Sequence, residues 1–253
     1  MTVLSASVGR GGRNNKTDTR RVQGLLNRYK IPGITKPLKI TGVADSNTIR
    51  RIEAFQKKIV KMRTPDGRID PDGRTIKKLL NRPGSKAASA LKVSAKGVNL
   101  LKSIERLALK PYDDQNGREI TRWVKGATIG YGHLISRNDW PNYKNGLNKT
   151  EAEALFKQDL EPFAEHVRNK VTANILQQEF DAMVILAFNI GKTAFASSSA
   201  LKLINNPGAN TSYASLEKAW LAWNKSQGKY SRGLANRRKA EWKIYTKGVY
   251  QRW

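Results

Sequence analysis

Apolar residues recur at helical spacing in three short segments of the N-terminal third. In TDTRRVQGLLNRY, Val22, Leu25 and Leu26 fall on one face, with Asp18 or Thr17 placed to cap the helix. In ADSNTIRRIEAFQKKIV, Ile49, Ile52, Phe55 and Ile59 share a face behind Asp45 or Ser46 as the cap. RTIKKLL is a third, shorter helix after the turn PDGRIDPDG, and IPGITKPLKITG between the first two reads as a loop. The pattern predicts a small three-helix domain over residues 1–84. Residues 85–96 are rich in Ser and Ala, lack acidic residues and read as a linker.

Beyond the linker the pattern changes. Val98, Leu101, Ile104 and Ala108 predict a helix ending before Pro111. A turn-rich stretch from Tyr112 to Asn145 follows, in which ITRWV and ATIGYG read as a strand pair. From Asn148 to Lys247 the pattern is helical almost throughout. NILQQEFDAMVILAFNIG is apolar on nearly every side, which predicts a buried central helix stopped at Gly191. The fold class expected is mainly α, with an α+β second domain over 97–253 made of a small β-subdomain and a helical lobe.

Charge narrows the function. Of the 253 residues, 47 are Lys or Arg and 20 are Asp or Glu, a net charge of +27. Residues 1–84 hold 20 of the basic and 6 of the acidic residues, so both halves are basic and the charge is not a tail. A polyanionic partner is expected: nucleic acid, an anionic lipid or lipopolysaccharide, or an anionic cell wall. With no cysteine, the chain has no disulfides, thiolate metal sites or cysteine nucleophile. The N-terminal MTVLSASVGRGG lacks the apolar run of a secretory signal, and Ala182 to Phe188 is too short to cross a bilayer. The aspartates of DGRIDPDG fail as a calcium loop, because the twelfth position from Asp66 is Lys77 rather than Glu. No metal or cofactor is expected.

Two carboxylates carry candidate chemistry. Glycoside hydrolysis needs one carboxylic acid to protonate the leaving oxygen and a second carboxylate to steer water or attack. Glu105 lies at the edge of an apolar helical face near its C-terminal end, where the dipole disfavours a charged carboxylate. Asp114 lies past Pro111 in a polar loop, with eight residues between the two. This asymmetry suits acid/base work.

The residues around this pair resemble the phage-type lysozymes of glycoside hydrolase family 24. The family order of Glu, eight residues, Asp, a turn and Thr-Ile-Gly-x-Gly-His stands here as Glu105, Asp114 and TIGYGH at 128–133. TEAEALFKQDL, QEFDAMVILAFNIG and GLANRRKAEW are similar to three further family segments in the same order. The resemblance implies Glu105 as general acid, Asp114 as the carboxylate that holds water or steadies oxocarbenium-like charge, and Thr128 as a cleft residue orienting water or sugar. It implies Asn189 as a substrate-facing residue and Arg237 as the ion partner of Glu105, with Arg238 the other candidate. Tyr131 and Trp123 complete the expected substrate-facing set, with Trp123 either stacking on a sugar face or serving as a hydrophobic clamp on the domain, and His133 is expected to pair structurally with Asp159. One departure stands out: thirteen residues separate Asp114 from Thr128, where the family has a short turn. A longer hairpin would bring Trp123 and Lys125 to the cleft rim, and Asp113 becomes an alternative to Asp114.

The first domain resembles type 1 peptidoglycan-binding domains through Val22-Gln23 with Leu25-Leu26, Thr48 through Phe55-Gln56, and Asp72-Gly73 with Thr75. Together the two resemblances imply a monomeric endolysin that binds and cleaves peptidoglycan. They imply storage in the host cytoplasm, release through a membrane pore and action on the periplasmic wall. Lipopolysaccharide of the outer membrane is a further partner suited to the charge. A lytic transglycosylase forming 1,6-anhydro ends is the rival within enzymes. A nucleic-acid-binding protein is the rival from another class, though no nucleic-acid motif is present.

Overall fold

In the computed structural model, described over residues 3–253, the chain starts with strand β1 (Val8–Gly9) and helices α1 (Lys16–Asn27) and α2 (Ser46–Phe55). A π-helical turn at Gln56–Val60, strand β2 (Arg68–Ile69) and helix α3 (Arg74–Leu80) follow, then α4 (Ala95–Ile104). Strands β3 (Ala108–Asp113), β4 (Ala127–Gly130) and β5 (His133–Leu134) come next, then helices α5 (Trp140–Tyr143), α6 (Lys149–Lys170), α7 (Gln177–Ile190), α8 (Lys192–Ser197), α9 (Ser199–Asn205) and α10 (Leu216–Leu221). A hairpin of β6 (Lys225–Ser226) and β7 (Lys229–Tyr230) leads into α11 (Arg232–Lys247). The fold is mainly α with a three-stranded antiparallel sheet in the order β3-β4-β5.

Two compact units form: residues 1–90, 170–176 and 193–223 in one, and 91–169, 177–192 and 224–253 in the other. In the first, Val22, Leu25, Leu26, Ile52, Phe55, Ile69 and Ile76 close a core with Leu4 and Val8. The Gln of each motif is buried and serves the backbone. Gln23 donates to Val43 O and Thr48 Oγ1 and accepts from Gly42 N–H. Gln56 donates to Arg68 O and accepts from Gly67 N–H. Each amide thus satisfies loop groups that burial would otherwise leave unpaired.

The cap of α1 differs from expectation. Asn15 accepts from Asp18 N–H and caps the helix, while Asp18 is buried and accepts from Ser5 N–H and Oγ–H and from Ala6 N–H. Burial would raise the Asp18 carboxyl, but the hydrogen bonds from Ser5, Asn15 and Ala6 outweigh it and hold its pKa below the usual value.

The segment expected as a linker is pinned, since Lys86 exchanges backbone hydrogen bonds with Ile175 at 2.9 Å, and Ala88 and Leu91 are buried. Residues 193–223, expected with the second domain, cluster with the first unit. Gly24 of α1 permits this approach, because a Cβ there would lie 2.4 Å from Pro207 Cβ. Arg28 donates to Ile204 O and Arg20 to Gly208 O.

In the second unit α7 is the central helix, buried continuously from Glu179 to Ala187 and packed against α4 and α11. Three expectations need correction there. Ala108 does not extend the helix, which ends at Ile104; residues 108–113 form β3 and pair with β4. Lys110 precedes a proline and is disfavoured in helix, so sheet pairing prevails. ITRWV is not a strand. Ile120, Trp123 and Val124 instead cover the core of Ala127, Ile129, Ile135 and Leu155 from a loop. The helical stretch to Lys247 is interrupted by the β6–β7 hairpin around Gln227-Gly228, whose residues both take positive φ and suit a two-residue turn.

Candidate active site

Glu105 is the C-cap of α4. Its amide donates to Leu101 O, but its own backbone is extended (φ −81°, ψ 140°), so the chain leaves the helix there and runs into β3. The side chain is half-buried, and no ion pair or side-chain hydrogen bond holds it among the described residues. Arg237 and Arg238 do not pair with it. Arg237 Nε lies 3.1 Å and Arg238 Nη2 2.7 Å from Glu241 Oε1. The pairs lie four and three residues apart on α11, and this local geometry outcompetes a long-range partner.

The second carboxylate is placed by Gly126. Asp114 N–H donates to Gly126 O at 3.1 Å, and Thr128 Oγ1 donates to the same carbonyl at 3.0 Å. Gly126 has φ +97°, and a Cβ there would stand 2.2 Å from Asp114 Oδ1. A side chain there would push the Asp114 carboxylate aside, and the positive φ strains any residue but glycine. Asp114 is exposed and Thr128 is buried. Asp113 is engaged otherwise: its carboxylate accepts from Gln115 N–H and Asn116 Nδ2, closing the turn. That employment leaves Asp114 as the carboxylate free of hydrogen bonds from the turn.

Tyr112 is a neighbour that sequence reading missed. It pairs in register with Thr128 across β3 and β4. Burial raises its phenol, the charge of Arg106 opposes this, and the charges of Asp114 and Glu105 add to it. The phenol therefore shares the electrostatic surroundings of both carboxylates and stays an O–H donor. Reading 108–113 as a strand would have exposed it, because alternation puts Tyr112 on one face with its partner Thr128.

The remaining residues divide by what they touch. Asn189, exposed near the end of α7, accepts from Arg238 Nη2 at 2.8 Å, so the buried Arg238–Glu241 pair orients its amide. Burial pulls the Arg238 guanidinium down to about 10, with Glu241 opposing the shift. Arg237 stacks over Trp253 at 4.7 Å. His133 Nδ1 lies 2.9 Å from Asp159 Oδ1, tying β5 to α6. Tyr131 packs on Phe156, with Lys102 Nζ 6.0 Å from its ring centre. Trp123 donates its Nε1–H to Ile135 O and packs against the small core, with Arg137 over its ring. These contacts make Trp123 a clamp on the inserted loop. No group of three or more His, Cys, Asp or Glu residues suited to a metal occurs among the described residues.

Gly126→Ala should move Asp114. If the site cleaves glycan, as the sequence resemblance implies, turnover of soluble glycan is expected to fall about 10²-fold, the effect of misplacing a reacting group by an ångström. KM should change little, and the strained backbone should cost about 1–3 kcal/mol of stability. Steady-state kinetics beside thermal melting check both. Unchanged kcat would show that Gly126 does not place the carboxylate.

A family model described as phage lysozyme matches residues 102–241. The endolysin of Bacillus phage PZA is 35% identical over 159 residues, covering 63% of this chain and 57% of the relative. The endolysin of Salmonella phage P22 is 32% identical over 153 residues, covering 60% of this chain and 95% of the relative. The match thus spans little more than half of the Bacillus phage protein and nearly all of the Salmonella phage one. Among solved structures, an endolysin from Escherichia coli O157:H7 phage FAHEc1 aligns with a TM-score of 0.49 and 30% identity, over 64% of this chain and 98% of that one.

Proposed function

Because the chain belongs to the phage lysozyme family, we propose that it is a muramidase, hydrolysing the β-1,4 bond between N-acetylmuramic acid and N-acetylglucosamine in peptidoglycan. The observation that carries this is the placing of two carboxylates in unlike settings around one sheet. Glu105 is half-buried and unpaired at a helix end, and Asp114 is exposed and held through Gly126 beside Thr128.

In this reading the Glu105 carboxyl gives its proton to the glycosidic oxygen as the C1–O bond breaks. Asp114 accepts a proton from a water that adds to C1 from the opposite face, with inversion. Thr128, whose hydroxyl hydrogen goes to Gly126 O, presents oxygen lone pairs that accept from that water or from a sugar hydroxyl. Asn189 offers its amide N–H groups to substrate while Arg238 holds its oxygen. Mass spectrometry of digested muropeptides tests the reaction type. Reducing ends are expected, and 1,6-anhydro ends would overturn hydrolysis in favour of a transglycosylase.

We further propose that residues 1–84 bind the wall and 97–253 cleave it. The net charge of +27 suits the anionic wall and outer-membrane lipopolysaccharide. No helix among the described residues is long and apolar enough to cross a membrane. Release from the host cytoplasm through a pore made by another protein is the route that fits this reading. Binding to purified wall should weaken steeply between ~0.01 M and ~1 M salt, as the Debye length shrinks from about 30 Å to about 3 Å. Pelleting assays measure this, and salt-independent binding would remove charge as the driving force.

A further inference from the structure

Asp181 is a fully buried carboxylate on α7 that the reaction above does not use. Hydrogen bonds hold it. Oδ1 accepts from Ser94 N–H at 3.0 Å and from Gln177 Nε2 at 2.9 Å. Oδ2 accepts from Ser94 Oγ–H and from the Tyr250 phenol, each at 2.5 Å. Ser94 is the N-cap of α4, and its Oγ accepts from Gly97 N–H at 3.2 Å. A Cβ on Gly97 would stand 3.2 Å from Asp181 Cγ, so the bare glycine lets the first turn of α4 sit against the carboxylate. Tyr250 comes from the segment after α11. Gly248, at φ +66°, ends that helix, and further along the Trp253 ring lies 4.7 Å from the Arg237 guanidinium. Burial raises the Tyr250 phenol, and its hydrogen bond to Asp181 and the Asp181 charge add to this against a smaller opposing effect of Ser94. The phenol therefore stays an O–H donor to the carboxylate.

We propose that Tyr250 and Asp181 are positioning residues for the active site: together they fix the first turn of α4, and through it the place of the Glu105 carboxyl. This rests on the reading of Glu105 as the acid. Between the Ser94 cap and the Glu105 cap, α4 is one unbroken helix of ten residues. At ~1.5 Å per residue it is about 15 Å long, so a tilt at one end is carried to the other. Near Glu105 the same helix is tied to α6 by Lys102 Nζ, 2.9 Å from Glu153 Oε1. That pair is partly exposed, and such pairs hold weakly. The buried Asp181 cluster is the firmer tie, and Tyr250 supplies the donor to it that arrives last along the chain.

The test uses the full chain. Tyr250→Phe removes the hydroxyl and leaves the ring. Its kcat on soluble glycan should fall about tenfold, part of the loss that follows from misplacing a reacting group, with KM within about twofold of wild type. In the Glu105→Gln background the same substitution should leave the residual turnover nearly unchanged, because the group it misplaces is already gone. An equal fall in both backgrounds would mean a general loosening and would overturn the positioning role. A rise in KM at unchanged kcat would overturn it as well. If Tyr250→Phe melts below the assay temperature, Ser94→Gly decides, since glycine is nearly as good an N-cap but has no hydroxyl for Asp181. The same fall in kcat and the same dependence on Glu105 are expected there, and wild-type kcat would sink the proposal. Full turnover by Glu105→Gln would overturn the acid reading itself. Loss of turnover in Glu105→Gln beside wild-type kcat in Tyr250→Phe would overturn only the positioning role.

Discussion

Glu105→Gln should lower peptidoglycan turnover by about 10²–10⁴-fold, the usual contribution of a general acid. The amide keeps the shape of the carboxyl but has no acidic proton to give. The side chain makes no ion pair or hydrogen bond among the described residues, so its replacement should leave the melting temperature and wall binding as they are. This separates Glu105 from residues whose loss lowers activity by unfolding the protein. Muropeptide release by wild type and variant at matched wall occupancy measures it. Turnover within a factor of a few of wild type would remove Glu105 from the acid's role. Asp114→Asn is the companion, with a smaller fall expected if the carboxylate steers water rather than donating to the leaving group.

The largest loss of stability should come from Glu241→Ala. Glu241 and Arg238 are fully buried, and Arg237 adds a second guanidinium to the same carboxylate oxygen. Removing the carboxylate leaves a buried cation beside a like charge, and breaking such a pair from one side costs about 3–5 kcal/mol. Arg238 Nε and Nη1 already lack acceptors, so no spare partner stands by. Glu241→Gln should cost less, because an amide oxygen still accepts from one arginine. Chemical denaturation gives the difference, and a loss below about 1 kcal/mol for the alanine variant would contradict the burial argument. Asn189 should also lose its orientation, so KM should rise in whatever fraction remains folded.

Arg238 shows where sequence reading stops. A run of two arginines and a glutamate on one helix allows both a local pair and a distant pair with Glu105. The helical spacing makes the local pair possible, but only the packing of α11 on α7, which excludes water, makes it obligatory. Trp123 is similar. An exposed aromatic in an insertion could stack on sugar, yet the insertion folds back and buries part of its own apolar face. The strand β3 was unreadable for another reason: six residues with Leu, Pro and Tyr carry no clear period, and their pairing partner lies beyond the insertion.

The sequence by itself determined the helices, their apolar faces and the buried centre at α7, because a period of 3.6 is a local property and α7 is apolar on nearly every side. It also determined the family, through ordered motifs whose residues must stand at set spacings. Tertiary structure alone decided what each motif residue touches. Asp114 became the free carboxylate of its turn because Asp113 closes it, and Gly126 couples Asp114 to Thr128 because the strand brings its carbonyl between them. Asp181 gained Ser94 and Tyr250 as partners only when α4 and the segment after α11 closed around it. Such partnerships join residues far apart in the chain, and no local pattern encodes which of several possible partners burial will select.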